Sequence, residues 1–94
     1  MVSIPKSISI GGHTIAVEVV RDLPDWGEYS ADTKVIRLRK STARTMIETL
    51  RHEMIHAAFD IGGLSYLDGL AEEALVRCLD SLFWPSWDGL ENQG

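Results

Sequence analysis

The sequence predicts an α+β domain: a small antiparallel or mixed sheet of three to four N-terminal strands, over about 8–39, packed against two C-terminal helices. Three observations predict it. Apolar residues alternate up to about residue 39, they recur at helical spacing from about residue 42, and glycines and prolines separate the segments. The 94 residues, 45% of them hydrophobic, fit one globular domain over 1–94. Strands followed by helices are typical of a sheet with helices packed against it.

The strands follow from alternation and turn signals. Residues 8–10 alternate as Ile-Ser-Ile and lead into Gly11-Gly12, the usual signal for a two-residue hairpin turn. A second strand then spans 13–20, and a short third strand spans about 26–30. The fourth strand, Val35 to Arg39, turns its isoleucine and leucine to one face. We expect this fourth strand at an exposed edge, where an extended peptide could pair with it.

The first helix is predicted over about 42–61. Ser41 or Thr42 can cap its N-terminus, and Gly62-Gly63 can supply a left-handed C-terminal cap. Its apolar residues form one stripe for the core, at Ala43, Met46, Ile47, Leu50, Met54, Ala57, Ala58 and Ile61. The second helix is predicted over about 68–83, with Trp84-Pro85 as its stop and 88–94 as a frayed end.

Charge and cysteine content exclude several classes of function. Nine basic and 14 acidic residues give a net charge of −5, which argues against a nucleic-acid partner held through its phosphates. The one cysteine, Cys78, excludes an intramolecular disulfide and a thiolate metal cluster. Apolar stretches are too short for a bilayer, and the N-terminus lacks an apolar signal core. We therefore expect a cytoplasmic protein with no membrane partner.

The chemical signal lies in the first helix, which contains His52-Glu53-Met54-Ile55-His56, an H-E-x-x-H sequence. Two histidines four residues apart lie one above the other on a helical face. Two such imidazoles can bind one Zn²⁺ at about 2.0–2.1 Å each. Glu53 suits a general base acting on a water beside the metal. Solvated surface histidines are the alternative, but this spacing within a capped helix favours zinc.

A catalytic zinc site needs a third protein ligand and an open fourth position. His13 is the third histidine, and Asp60 is better placed to orient an imidazole than to bind metal. Glu72 and Glu73 lie on the second helix, 16 and 17 residues after the motif. Helical phase favours Glu72, which shares a face with apolar residues, whereas the small neighbour Ala74 favours Glu73. The residues alone leave both glutamates open.

The motif, followed by a helix carrying Glu72-Glu73-Ala74-Leu75, resembles the gluzincin metallopeptidases. It is most similar to their minimal versions, the ImmA/IrrE-like and small phage-encoded metallopeptidase-like proteins. The resemblance covers about 35–85. A third-ligand glutamate commonly followed by Gly or Ala implies Glu73 here, and the resemblance implies a phage-encoded protein acting in the host cytoplasm. The chain departs from larger gluzincins at Arg77, where they often carry an acidic residue, and in having no sizeable second subdomain within its 94 residues.

These observations predict a zinc-dependent metallopeptidase that acts on a peptide or protein substrate. His52, His56 and Glu73, or Glu72 in its place, would hold Zn²⁺. Glu53 would be the catalytic base that takes a proton from the attacking water. The alternative function is a catalytically weak or inactive zinc-binding module that contacts another protein, with the metal stabilising a small fold.

Overall fold

The computed structural model describes residues 3–64 and 66–93. Four strands precede a helical half, which confirms the predicted α+β class. The strands are β1 (Ser7–Ile10), β2 (His13–Val20), β3 (Gly27–Ser30) and β4 (Val35–Arg39). The helices are α1 (Ala43–Ile61), α2 (Gly69–Cys78) and α3 (Trp84–Gln93), the last two joined by a π-helical turn (Leu79–Phe83).

The sheet is mixed, with strand order β1-β2-β4-β3. β1 and β2 form the predicted hairpin, and its two glycines have φ values of 55° and 82°. Both values lie in the left-handed region that this tight turn requires and that glycine adopts without strain. β4 pairs in parallel with β2 and antiparallel with β3. The expectation that β4 is an edge strand is therefore wrong, and β3 is the edge on that side.

One face of the sheet packs on α1 and forms the core. Ile15, Ile36 and Leu38 are fully buried there, and Met46 and Leu50 of α1 pack against them. The alternation of β4 predicts this correctly, because successive side chains of a strand point to opposite faces. Burial of one face of the sheet fixes α1 across the strands and sets which helix face points away from the core.

The predicted caps of α1 are confirmed. The Thr42 side chain accepts a hydrogen bond from the Thr45 N–H at the N-terminus. At the C-terminus the Gly62 N–H donates to the Ala58 carbonyl, and Gly63 follows with φ of 81°. The motif helix is therefore closed at both ends by local sequence.

We call α2, the π-helical turn and α3 together the second helical segment. This segment differs from the prediction beyond Phe83. Asp68 caps α2, but the chain continues through the π-helical turn into α3 and stays helical to Gln93. In this turn the Trp84 N–H bonds the Leu79 carbonyl, five residues back. Pro85, which has no N–H to give, comes where the hydrogen-bond register shifts, so it does not end the helix. The stop predicted at Trp84-Pro85 is therefore wrong. The frayed end over 88–94 stays a prediction, and Gly94 lies outside the described residues.

None of the helices among the described residues is long and apolar enough to cross a membrane.

Candidate metal centre

The two motif histidines lie side by side on the face of α1 that the second helical segment covers. The ring centroids of His52 and His56 are 5.0 Å apart, with the rings inclined at 62°. Their side chains are 27% and 17% exposed, so the site is shielded but open to small molecules. The spacing of four residues produces this edge-to-face contact directly, because helical residues four apart lie on one face.

Glu73 of α2 faces both histidines. One ligand atom from each of His52, His56 and Glu73 can be chosen so that all three lie within 4.8 Å of one another. Nε2 of His52 is 3.4 Å from Oε1 of Glu73, and Nε2 of His56 is 3.2 Å from Oε2. Ligand atoms about 2.0–2.1 Å from a tetrahedral zinc are separated by about 3.3 Å. The two distances involve different oxygens of Glu73, and the triad as a whole could hold a metal ion.

The other imidazole nitrogens are held by two further carboxylates. Nδ1 of His56 is hydrogen-bonded to Oε2 of Glu72, and Nδ1 of His52 lies 2.6 Å from Oδ2 of Asp80. A carboxylate on Nδ1 fixes the proton there and leaves Nε2 free to ligate. Glu72, the open alternative for the third ligand, thus contacts the nitrogen that faces away from Glu73.

The contact of Asp80 with His52 was not predicted from the sequence. Asp80 lies seven residues after Glu73, close to two helical turns, so helical periodicity places it on the same face, where a solvated face was the simple interpretation. It is the second residue of the π-helical turn, a feature that often occurs at functional sites. The side chain is 32% exposed and lies against α1 through His52.

The reason given for Glu73 from its small neighbour does not hold, because Ala74 is exposed. Val76, which is fully buried, is the residue of α2 that packs closely instead. Arg77 lies one turn after Glu73, with Nε 3.7 Å from Oε1, but its side chain is 78% exposed. Such an exposed pair contributes little and leaves Glu73 available to a metal.

Asp60 does not orient His56, contrary to the expectation. Its Oδ2 accepts hydrogen bonds from the Lys34 ammonium at 2.8 Å and the Tyr29 hydroxyl at 2.7 Å. The bonds from Lys34 and Tyr29 lower the pKa of Asp60. Burial, followed by the bond to Asp60, raises the pKa of the Tyr29 hydroxyl. His13 lies at the start of β2 and is not part of the triad.

Glu53 is a buried carboxylate, only 8% exposed, beside the triad. Burial raises its pKa, and the neighbouring imidazoles oppose that rise. Gly27 at the start of β3 allows this arrangement: a Cβ there would lie 2.5 Å from Cγ2 of Thr49 and 3.4 Å from Cγ of Glu53. The absence of a side chain at Gly27 therefore lets the edge strand approach the motif helix.

Two cavities flank Glu53 along β3. The first, about 450 Å³, is lined by Trp26, Gly27, Thr45, Glu48 and Thr49 together with His52, Glu53 and Asp80. The second, about 370 Å³, is lined by Tyr29, Ala31, Asp60 and Glu72 together with Glu53 and His56. We call them the Trp26 pocket and the Tyr29 pocket. Because Glu53 lines both, its carboxylate lies between the two pockets.

No family model, curated protein or solved structure gives a significant match to this chain. The residues of the site, and not relatives, carry the functional conclusion.

Proposed function

We propose that this protein is a zinc-dependent peptidase of minimal size, with His52, His56 and Glu73 as metal ligands and Glu53 as general base. The observation that carries the proposal is the convergence of the triad, whose Nε2-to-carboxylate separations are 3.4 and 3.2 Å, beside a buried glutamate. A purely structural zinc site does not require a buried carboxylate that is neither a ligand nor the partner of an imidazole Nδ1, whereas water-activated hydrolysis needs one.

Each residue of the proposed site has its own role in hydrolysis. Bound zinc would acidify a water and polarise the peptide carbonyl. Glu53 takes the proton from the attacking water and delivers it to the nitrogen of the leaving amine, so the C–N bond breaks as a C–O bond forms. Glu72 and Asp80 hold the two imidazoles with Nε2 directed at Glu73. The unpaired edge of β3 would hold the peptide in an extended conformation by adding it to the sheet as a strand.

The test combines metal analysis with hydrolysis of a peptide library. The wild type should carry about one zinc per chain and cleave peptides. Glu53→Gln should retain the zinc and lose at least about 100-fold in turnover, because proton transfer is worth about 10²–10⁴-fold. His56→Ala should lose both the metal and the activity.

A matched control is Glu18→Gln, which removes a carboxylate that pairs with Arg37 away from the site. Its metal content and turnover should match those of the wild type. Equal zinc content in the wild type and His56→Ala would refute the ligand assignment. Full hydrolysis by Glu53→Gln would refute the role of the base.

We propose that the reaction takes place in the cytoplasm, because Cys78 is an exposed free thiol, as is usual in reducing compartments. A phage-encoded protein in the host cytoplasm, as the resemblance implies, would meet that condition.

A second candidate function is a zinc-stabilised module that contacts another protein without turning over peptides. The observation that favours it is a set of exposed large apolar side chains on the second helical segment: Leu70, Leu75, Leu82, Phe83, Trp87 and Leu90. Exposed apolar patches are typical of interaction surfaces. Zinc content with no hydrolysis of any library peptide, by the wild type and Glu53→Gln alike, would favour this function.

A further inference from the structure

The Trp26 pocket has the size and composition of a side-chain subsite. Its volume of about 450 Å³ lies in the range of small-ligand pockets. Trp26 supplies an aromatic wall and is 54% exposed. Gly27 brings the backbone of β3 to the mouth of the same pocket, so a peptide paired with β3 could direct a side chain into it.

The charge in the Trp26 pocket is negative. Among the residues that the structure describes, three carboxylates line it, those of Glu48, Glu53 and Asp80, and no lysine or arginine does. Two of them have other partners or roles, since Asp80 bonds His52 and Glu53 is the proposed base. Glu48 neither bonds a motif histidine nor serves as the proposed base, so its carboxylate is the one that can select a substrate.

The existing partner of Glu48 is weak. Arg44 donates from Nε to Oε1 of Glu48 at 3.2 Å, but the two side chains are 90% and 64% exposed. An exposed pair four residues apart on a helix contributes a few tenths of a kcal/mol. A cationic side chain in the pocket can therefore compete with Arg44 for the Glu48 carboxylate.

The Tyr29 pocket does not share this property, although it is also lined by carboxylates. Asp60 there is already paired with Lys34 at 2.8 Å and with Tyr29. Glu72 is bonded to His56. The selecting charge is therefore in the Trp26 pocket. Two guanidinium groups contact residues of its wall without lining the cavity: Arg44 pairs with Glu48, and Arg39 stacks 3.9 Å from the Trp26 ring centroid.

Resting on the proposed peptidase function, we propose that the Trp26 pocket is a specificity subsite for a lysine or arginine side chain adjacent to the scissile bond, with Glu48 as the specificity-determining residue. The aliphatic stem of the substrate side chain packs on Trp26, and its cationic head bonds the Glu48 carboxylate.

The test uses the zinc-loaded 94-residue chain and quenched fluorescent peptides that differ at one position at a time. Each position carries lysine, its neutral analogue norleucine, arginine, its neutral analogue citrulline, or glutamate. At a single position next to the cleaved bond, kcat/KM should be about 10-fold higher for the cations than for their analogues, the magnitude of one charge-assisted hydrogen bond. Glu48→Gln should reduce this ratio to about 2-fold or less, and Glu48→Lys should favour glutamate.

The control Glu18→Gln should keep the full preference, and added salt should weaken it. Because Glu48 and Glu18 are both exposed, these substitutions leave the core intact. Cleavage by the wild type with no preference for cations, or a preference that Glu48→Gln retains, would overturn the subsite and leave the peptidase function standing.

A binding measurement separates the two proposals if no peptide is cleaved. Zinc-loaded Glu53→Gln is titrated with the lysine and norleucine peptides while the indole N–H resonance of Trp26, assigned with Trp26→Phe, is followed by NMR. The lysine peptide should bind about 10-fold more tightly, and Glu53→Gln/Glu48→Gln should lose that difference. Equal binding of the two peptides would overturn the subsite. Absent hydrolysis with preferential lysine binding would overturn only the peptidase function.

Discussion

The carboxylates on the histidine Nδ1 atoms should control metal affinity. Replacing Asp80 with alanine removes the partner that lies 2.6 Å from Nδ1 of His52, and Glu72→Ala removes the partner of His56. Loss of such an orienting group costs about 10–100-fold in metal affinity. Asp80→Asn keeps an oxygen that can accept from Nδ1–H and removes only the charge. The loss of zinc affinity in Asp80→Asn should therefore lie at the lower end of that range.

The expected loss of stability follows from linkage. Zinc at 100 times the wild-type Kd stabilises the fold by about 2.7 kcal/mol. At the same zinc concentration a 10-fold weaker site is stabilised by about 1.4 kcal/mol and a 100-fold weaker site by about 0.4 kcal/mol. The metal-dependent gain should thus fall by about 1.3 to 2.3 kcal/mol, which lowers Tm by on the order of 10 °C in a domain of this size.

The assay is competition for zinc with a chromogenic chelator, together with thermal unfolding at one fixed zinc concentration. Glu18→Gln is the matched control, because Glu18 lies on β2 and pairs with Arg37 of β4 at 3.2 Å, outside the contact between α1 and the second helical segment. It should shift Tm equally with and without zinc and leave the zinc Kd unchanged. If Asp80→Ala and Glu72→Ala bind zinc as tightly as the wild type, the orienting role assigned to these carboxylates is wrong.

Three further predictions concern the fold around the site, and urea unfolding measures each. Gly27→Ala should lower the free energy of unfolding by about 1–3 kcal/mol, because the added Cβ would lie 2.5 Å from Cγ2 of Thr49. An unchanged urea midpoint would contradict this and show that β3 can move away from α1. Val76→Ala, at a fully buried position, should cost about 1–3 kcal/mol, and a loss below that range would mean that α2 is loosely packed. The pKa of Asp60 is lowered in the fold, so its bond to Lys34 stabilises fully above the ordinary pKa near 3.8 and is lost as pH falls through the lowered value. Asp60→Asn should therefore lower the free energy of unfolding by about 1 kcal/mol at pH 7, and its stability should fall less steeply than that of the wild type below about pH 4. Equal dependence of stability on pH in the variant and the wild type would contradict this.

Local chemistry made much of the fold predictable. The glycines at the hairpin turn, the Thr42 cap and the alternation in β4 each depend on a few neighbouring residues, and the structure has all three. The contact between the rings of His52 and His56 is local in the same sense, because it follows from a spacing of four within a single helix.

Features that depend on distant residues were not predictable in this way. Alternation shows which face of β4 is buried but says nothing about its neighbours, so its central place in the sheet was missed. Pro85 was interpreted as a stop because the π-helical turn before it leaves no sequence signature in this chain. Gly27 looked like an ordinary glycine, since its role depends on the approach of Thr49 from another element.

The weak packing of the second helical segment connects stability to the site. Val76 is the one buried side chain in the described part of this segment, so little apolar area holds it to α1. Polar contacts from Glu73, Asp80 and Asp88 also hold this segment to α1. A metal that bridges the two helices through Glu73 would replace hydrophobic burial that the short chain does not have. Because Glu73 and Asp80 lie on the same segment, loss of the metal would displace a ligand and an orienting group together, so affinity for zinc and docking of this segment should be lost in one cooperative step.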